Sequence, residues 1–173
     1  MDDVIICKTN PDDILILQEI ARRTFYEAFS SSNSEQDMGK YLEEGFSQIR
    51  LSAELNNPNS EFYFAISGDD IIGYLKVNTG EAQTDIKEDN ALEVERIYLL
   101  KEFHGRKVGQ LLLDKALDIA RQRGAKYIWL GVWENNARAI SFYKKNGFVE
   151  FGKHSFLLGD DEQTDILMKL VIN

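Results

Sequence analysis

The sequence is short of cysteine, histidine, proline and positive charge, and each shortage removes a class of protein. A single cysteine, Cys7, excludes an internal disulfide. Two histidines, His104 and His154, lie far apart and near no cysteine, so no cluster has metal-ligand spacing and no metal is expected. The only prolines, Pro11 and Pro58, sit beside turn-type residues, and no linker, repeat or low-complexity segment interrupts the 173 residues. No apolar run approaches the roughly 18 residues of a membrane span, and MDDVIICKTN lacks the basic start and apolar stretch of an export signal, so a soluble, cytoplasmic protein is expected. Twenty basic against 29 acidic residues leave a net charge of -9, which repels nucleic acid and membrane surfaces and favours small cations.

What is present is a 43% hydrophobic chain, enough to bury one core without covalent staples, and residues 1–173 are read as a single domain. Val4 to Cys7 forms a short strand, and Asn10-Pro11-Asp12-Asp13 supplies helix-start chemistry before Ile14, Leu15, Leu17 and Ile20 recur at helical spacing. That helix ends at the serine-rich break 30–34. Met38, Tyr41, Leu42 and Phe46 mark a second helix, with a further piece reaching Leu55.

EFYFAIS and IIGYLKVN flank Gly68-Asp69-Asp70 as an antiparallel hairpin, and an acidic loop from Glu81 to Asn90, read as a solvated stretch or a cation-steering rim, leads to the strand ALEVERIYLL. An amphipathic helix follows from Val108, then the strand YIWLGV, a helix from Ala137 to Lys145, and two strands, Phe148 to Phe156 and Asp165 to Val171. The order β α α β β β α β α β β is a mixed α/β (α+β) domain with about seven strands and about four helices.

Strand, glycine-containing turn and helix N-terminus form the informative unit, because the free N–H groups of a first helical turn bind phosphate without a cationic side chain. His104 to Gln110 has this form. It is neither a Walker loop, lacking Gly-Lys-Ser/Thr, nor a Rossmann GxGxxG. IYLLKEFHGRKVGQLLL, from Ile97, resembles the acetyl-CoA signature of the GNAT acetyltransferase family: Ile97, Tyr98 and Leu99 match its strand, Phe103 its aromatic, and Gly109 its final Gly/Ala. His104 stands at a Gln/Arg position and Lys107 at a glycine. A lysine is tolerable there if it lies within an already helical turn, and it adds charge near phosphate. ENNARAISFYKKNGF matches a second family segment through Asn136, Ala139, Phe142, Tyr143, Gly147 and Phe148.

The resemblance implies the GNAT fold, acetyl-CoA as acetyl donor and an amine as acceptor. It implies that Ile97, Tyr98 and Leu99 offer main-chain groups to the pantetheine arm. Gly105, Arg106, Lys107, Val108, Gly109 and Gln110 would cradle the pyrophosphate, with Asn136 on the opposite wall. Arg106, Lys107 and Lys145 would serve the outer phosphates. Tyr143 falls at the family's catalytic tyrosine, a general acid for the departing thiolate.

Acetyl transfer also needs a neutral amine, whose conjugate acid has a pKa of about 10.4, so a base is required. Strand alternation puts Glu93, Glu95, Ile97 and Leu99 on one face. Glu95 is the expected base, acting through water, and Glu93 the holder of the substrate cation. His154 and Cys7 are expected to be structural, and Trp129 and Trp133 to pack in or beside the core.

ARRTFYEAF, a serine/asparagine stretch and SEQDMGKYLEEGFS resemble bacterial spermidine/spermine N-acetyltransferases of the PaiA type, implying a polyamine acceptor. Phe25, Tyr26 and Tyr41 are placed to flank its alkyl ammonium chain. Transfer to a peptide or protein amine, or a CoA-sensing module without turnover, are the alternatives, and a homodimer is compatible with the sequence.

Overall fold

The computed structural model describes residues 3–173. Strand β1 (Val4–Lys8) is followed by a capping box in which Asn10 accepts from the Asp12 N–H and Asp13 accepts from the Asn10 N–H, each at 2.9 Å; this starts α1 (Ile14–Phe29). Ser34 and Ser47 cap α2 (Glu35–Gly45) and α3 (Gln48–Asn56) through their hydroxyls. The piece expected to reach Leu55 is thus a helix in its own right, and the described residues form five α-helices where about four were expected. The serine at each boundary is what separates α2 from α3.

Strands β2 (Ser60–Ser67), β3 (Asp70–Asn78) and β4 (Ala91–Leu99) form an antiparallel meander. After it come α4 (Val108–Gln122), β5 (Tyr127–Trp133), α5 (Ala137–Lys145), β6 (Val149–Leu158) and β7 (Asp161–Val171). The seven strands lie in the order β1-β2-β3-β4-β5-β7-β6. One face of the sheet is covered by α4, whose Val108, Leu112, Leu113, Ala116, Ile119 and Ala120 are buried against Leu92, Val94, Ile128 and Leu130. Each fully buried leucine there contributes about 1.5–3 kcal/mol. The opposite face holds Leu17, Phe25 and Phe29 of α1, Met38 of α2 and Leu51 of α3 against Phe62, Phe64 and Tyr74.

Two irregularities in β4 prepare the site. The strand pairs with β5 only through Ala91, Leu92 and Glu93, opposite Tyr127, Ile128 and Trp129, although both strands run on. β4 and β5 therefore diverge, and the edge of β4 beyond Glu93 has no strand partner on that side. Secondly, Val77 opposes Val94 while Lys76 opposes Arg96, so Glu95 is an inserted bulge residue. The bulge reverses the side-chain parity. Leu92, Val94, Ile97 and Leu99 pack on the α4 side, whereas Glu93, Glu95, Arg96 and Tyr98 face the cavity on the other side. The alternation expected to place Glu93 and Glu95 with Ile97 and Leu99 does not survive this extra residue.

Candidate active site

Where β4 and β5 part, a cavity of about 280 Å³ opens, walled by α1, α2, β4, β5, α5 and the β6–β7 pair. Its lining is divided by chemistry. Phe25 stacks on Tyr41 with ring centroids 4.5 Å apart, and Phe29 leans on Trp133 at 5.5 Å, giving an aromatic wall. Glu93, Glu95 and Asp165 line the same cavity.

The carboxylates differ in how their oxygens are used. Glu95 accepts from Lys76 Nζ at 2.9 and 3.0 Å, from Asn78 Nδ2 at 3.1 Å, and meets Arg96 Nε at 3.1 Å. Burial pushes its carboxyl up, but Arg96, Lys76 and these hydrogen bonds together outweigh that and hold it below the usual range. Lys76 and Arg96 also reach Glu54 of α3, at 3.3 and 3.2 Å, so two cations and two carboxylates close on themselves. Glu93 accepts from Asn78 Nδ2 at 2.9 Å, the Thr84 N–H at 2.8 Å and the Thr84 hydroxyl at 2.5 Å. Burial nonetheless raises its pKa.

Thr84 belongs to the acidic loop between β3 and β4, which is no free rim. Gln83 is buried and accepts from Trp129 Nε1 at 2.8 Å, Thr84 grips Glu93, and Asp85 meets His154 Nδ1 at 3.0 Å. His154, expected to be structural, lines the cavity, and Asp165, which the sequence did not single out, stands beside it. Only an unremarkable parity on a terminal strand carried a signal for Asp165. Cys7, also expected to be structural, is exposed on the edge strand β1.

Tyr143 is 5% exposed and lies in the cavity wall. Burial alone pushes its hydroxyl pKa well up; no neighbouring charge or hydrogen bond contributes, so the O–H is a donor directed at nothing in the protein. Asn136 caps α5, its Oδ1 accepting from the Ala139 N–H at 3.2 Å, which leaves its amide hydrogens toward the cavity. Tyr26 is not brought to the site. Phe25 and Phe29 occupy the cavity face of α1, and Tyr26, about 100° further round the helix, is 49% exposed. Lys145 lies on the outer face of α5, beside an open surface groove with Ile140, Ser141 and Lys144.

At the far end of β4, Gly105 has φ 78 and Lys107 has φ 64, the only positive φ outside glycine among the described residues. Lys107 is the N-cap of α4 and not part of its first turn, so the helical setting expected to make it tolerable is absent: the position does require a left-handed residue. It provides no side-chain cap, and the N–H groups of Val108, Gly109 and Gln110 are left without helical partners. The Gln110 side chain itself is spent on Asp114 and Asn146. Arg106 stacks over Phe103 at 5.3 Å. Arg138 of α5, unnoticed in the sequence because it falls at a variable position of its motif, touches His104 Nδ1, while His104 Nε2 meets the Leu99 carbonyl at 3.2 Å. Burial and Arg138 together lower the His104 pKa. The loop thus joins an uncapped helix start, two left-handed residues and several cations, a setting fit for an anionic phosphate chain.

A splayed parallel pair within a mixed sheet, an unpaired strand edge at the splay and a phosphate-binding helix start define an acyl-CoA-dependent transferase. Residues 16–148 match the acetyltransferase (GNAT) family, and an uncharacterized N-acetyltransferase from the pepI 3′ region of Lactobacillus delbrueckii subsp. lactis is 40% identical over 98% of both chains. The chain belongs to the GNAT family; it is an N-acetyltransferase, and the family's acetyl donor is acetyl-CoA. A spermidine N(1)-acetyltransferase of Thermoplasma acidophilum is 28% identical over 83% of this chain and 86% of its own. The PaiA N-acetyltransferase of that organism, solved in complex with coenzyme A, superposes with a TM-score of 0.79 at 25% identity over 98% of this chain and 99% of its own.

Proposed function

We propose that this enzyme acetylates a slender polycationic amine of the spermidine/spermine class by direct transfer in a ternary complex. The observation that carries this reading is the cavity itself: stacked aromatic rings and three carboxylates together line a space of about 280 Å³, just below the usual range of small-ligand pockets, roughly 300–1,000 Å³. Such a slot suits an alkyl chain that offers methylene groups to the rings and ammonium groups to the carboxylates and π faces. The similarity to the Thermoplasma spermidine acetyltransferase supports it.

Acetyl-CoA, when bound, supplies the activated thioester. The α4 N-terminus, Gly105 and Lys107 hold its pyrophosphate, aided by Arg106 and Arg138, and the unpaired edge of Ile97, Tyr98 and Leu99 receives the pantetheine amides. Lys145, on the outer side of α5, serves a distal phosphate, and Asn136 donates from the facing wall. Tyr143 donates its hydroxyl proton to the sulfur as the thiolate departs; it is held protonated across the working pH range and has no competing acceptor. Glu93, anchored by Thr84 and Asn78, faces the ammonium. Glu95 supplies fixed negative charge beside the reacting centre, and takes a proton through water only by giving up one of its existing bonds.

Thiol release from acetyl-CoA, followed with spermidine, spermine, putrescine, lysine peptides and aminoglycosides, tests the reading. Polyamine turnover at the lowest KM is expected. Activity confined to peptides would replace the acceptor class, and CoA binding without any thiol release would replace turnover by sensing.

A further inference from the structure

Of the three cavity carboxylates, Asp165 is the least engaged. Glu95 holds three donors through four contacts, and Glu93 holds three donors. Among the described residues Asp165 receives no hydrogen bond from a backbone N–H or a hydroxyl, and its ion-pair partner is His154 Nε2 at 3.4 Å, a separation long for a hydrogen bond and typical of catalytic pairs before substrate tightens them. The ring is fixed from behind, since Nδ1 meets Asp85 Oδ2 at 3.0 Å and Asp85 belongs to the loop tied down through Gln83 and Thr84. That bond places the proton on Nδ1 and turns the Nε2 lone pair toward Asp165.

Space for the carboxylate is created by Gly131 on β5: a Cβ there would lie 3.2 Å from Asp165 Oδ2. Asp165 therefore leans over the strand that diverges from β4, on the acceptor side of the splay. His154 is partly exposed and Asp85 more so, with side-chain exposures of 28% and 43%, so the chain of three runs from cavity to solvent.

We infer that Asp165 is the proton acceptor for the substrate ammonium, with His154 and Asp85 forming the route by which that proton leaves. The inference rests on reading this cavity as the amine site. The proton passes from the ammonium nitrogen to an Asp165 oxygen and on to Nε2 of neutral His154. The imidazolium so formed, steadied between two carboxylates, returns one proton to water at the exposed edge. The freed nitrogen lone pair then attacks the acetyl carbon.

The cations facing the cavity do not disable Asp165: Arg96 is paired with Glu54 and Glu95, and Arg50 reaches Glu54. The hydroxyls of Tyr41, Tyr98 and Tyr143 are all pushed up by burial and stay protonated. Burial also raises the Asp165 pKa, though His154 opposes this, moving it toward the value a base at neutral pH requires.

The test compares Asp165→Asn, His154→Gln and Glu95→Gln with wild type in the 173-residue chain. kcat/KM is measured from pH 6 to 9.5 with whichever amine of the panel turns over fastest. Without its base an enzyme depends on amine already neutral, roughly one molecule in 10³ at pH 7 for a pKa of about 10.4. Asp165→Asn is therefore expected to lose about 10²–10³-fold at pH 7 and to recover more than tenfold of that by pH 9.5. His154→Gln should show the same pH-dependent deficit, smaller in size. A deficit independent of pH marks a structural role and overturns the inference, as does a pH-dependent deficit confined to Glu95→Gln. Imidazole nitrogen NMR gives a readout without turnover: His154 should show the Nδ1–H tautomer with an Nε2 signal that moves in Asp165→Asn, and an Nε2 signal identical in the two proteins would overturn the pairing. Wild type inert toward every amine fails the proposed function. An intact wild type with an unaltered Asp165→Asn profile fails this inference alone.

Discussion

At the scale of single residues, Tyr143 and Lys107 illustrate two ways in which a site is set. Tyr143 has a ring that is buried and a hydroxyl in the cavity lining that makes no hydrogen bond within the protein, so it is free to serve an incoming partner. Replacing it with phenylalanine removes one oxygen and no packing. We expect kcat to fall by about 10²-fold or more while the CoA dissociation constant, read by calorimetry, changes by less than about twofold.

Lys107 carries a left-handed backbone that disfavours any side chain by about 1–2 kcal/mol. Lys107→Gly should therefore stabilise the fold by about 0.5–1 kcal/mol once the extra flexibility of unfolded glycine is subtracted, raising Tm by roughly 1–4 °C. The same change deletes a cation at the phosphate loop, so CoA binding should weaken severalfold. Thermal unfolding and calorimetry on one variant would show the two effects with opposite signs. If both fell, the lysine would be relieving the loop rather than straining it.

At the scale of elements, the bulge in β4 decides which chemistry reaches the cavity. One inserted residue puts Arg96 on the cavity side together with Glu93 and Glu95 and leaves Ile97 and Leu99 packed on the α4 side. The charges this brings indoors are held by Lys76 of β3, 3% exposed, which bridges Glu54 on α3 and Glu95 on β4 and so ties helix to sheet. Lys76→Met would strand two carboxylates around a methyl group. A loss of about 3–5 kcal/mol is expected, seen as a shifted denaturant midpoint at unchanged slope. A loss below about 1 kcal/mol would mean that Arg96 alone suffices for both carboxylates.

Burial patterns along the helices and strands were legible in the residue order, down to the start of α4 at Val108 and the capping box at Asn10. The bulge was not, because one extra residue in a run such as ALEVERIYLL leaves no mark until β3 fixes the register. The placement of Asp165 and Arg138 at the cavity and the phosphate loop shares that origin, since each depends on what lies opposite in space, whereas the Ser47 cap that sets off α3 is local and the sequence offered only a further piece reaching Leu55.

At the scale of the whole molecule, a net charge of -9 acts on both binding and stability. Attraction of a polycation by that field is screened within about 10 Å at 0.1 M salt, so kcat/KM for spermidine should drop several-fold between 50 and 500 mM salt while that for a monoamine changes less. Equal responses would remove any role for the field.

Stability has two opposed pH responses. Glu95 and Glu61 sit below the usual carboxylate range when folded, burial in each being outweighed by Arg96 and Lys76 for the first and by Tyr63, Arg123 and Lys8 for the second. They contribute stability at neutral pH that is lost as pH falls below about 4. Glu93 and Asp165 sit above that range, chiefly through burial, and contribute stability present at low pH that is lost as pH rises through their raised values. Tm should therefore peak in mild acid, and Glu95→Gln should flatten the acid limb.

Sequence by itself determined the order of the strands, the faces of the helices and the family, with α3 read only as a further piece of the second helix. Hydrophobic spacing, caps and the two motif segments are local, and each is written within a few turns or strands of chain. Tertiary structure alone decided which acids line the cavity and which are already paired, why Tyr26 stays outside, and that Lys107 bears a left-handed backbone. It also joined Asp85, His154 and Asp165, drawn from a loop and two strands, into one path from cavity to solvent. Ionisation and proton transfer depend on distances between groups remote along the chain, and only the closed sheet sets those distances.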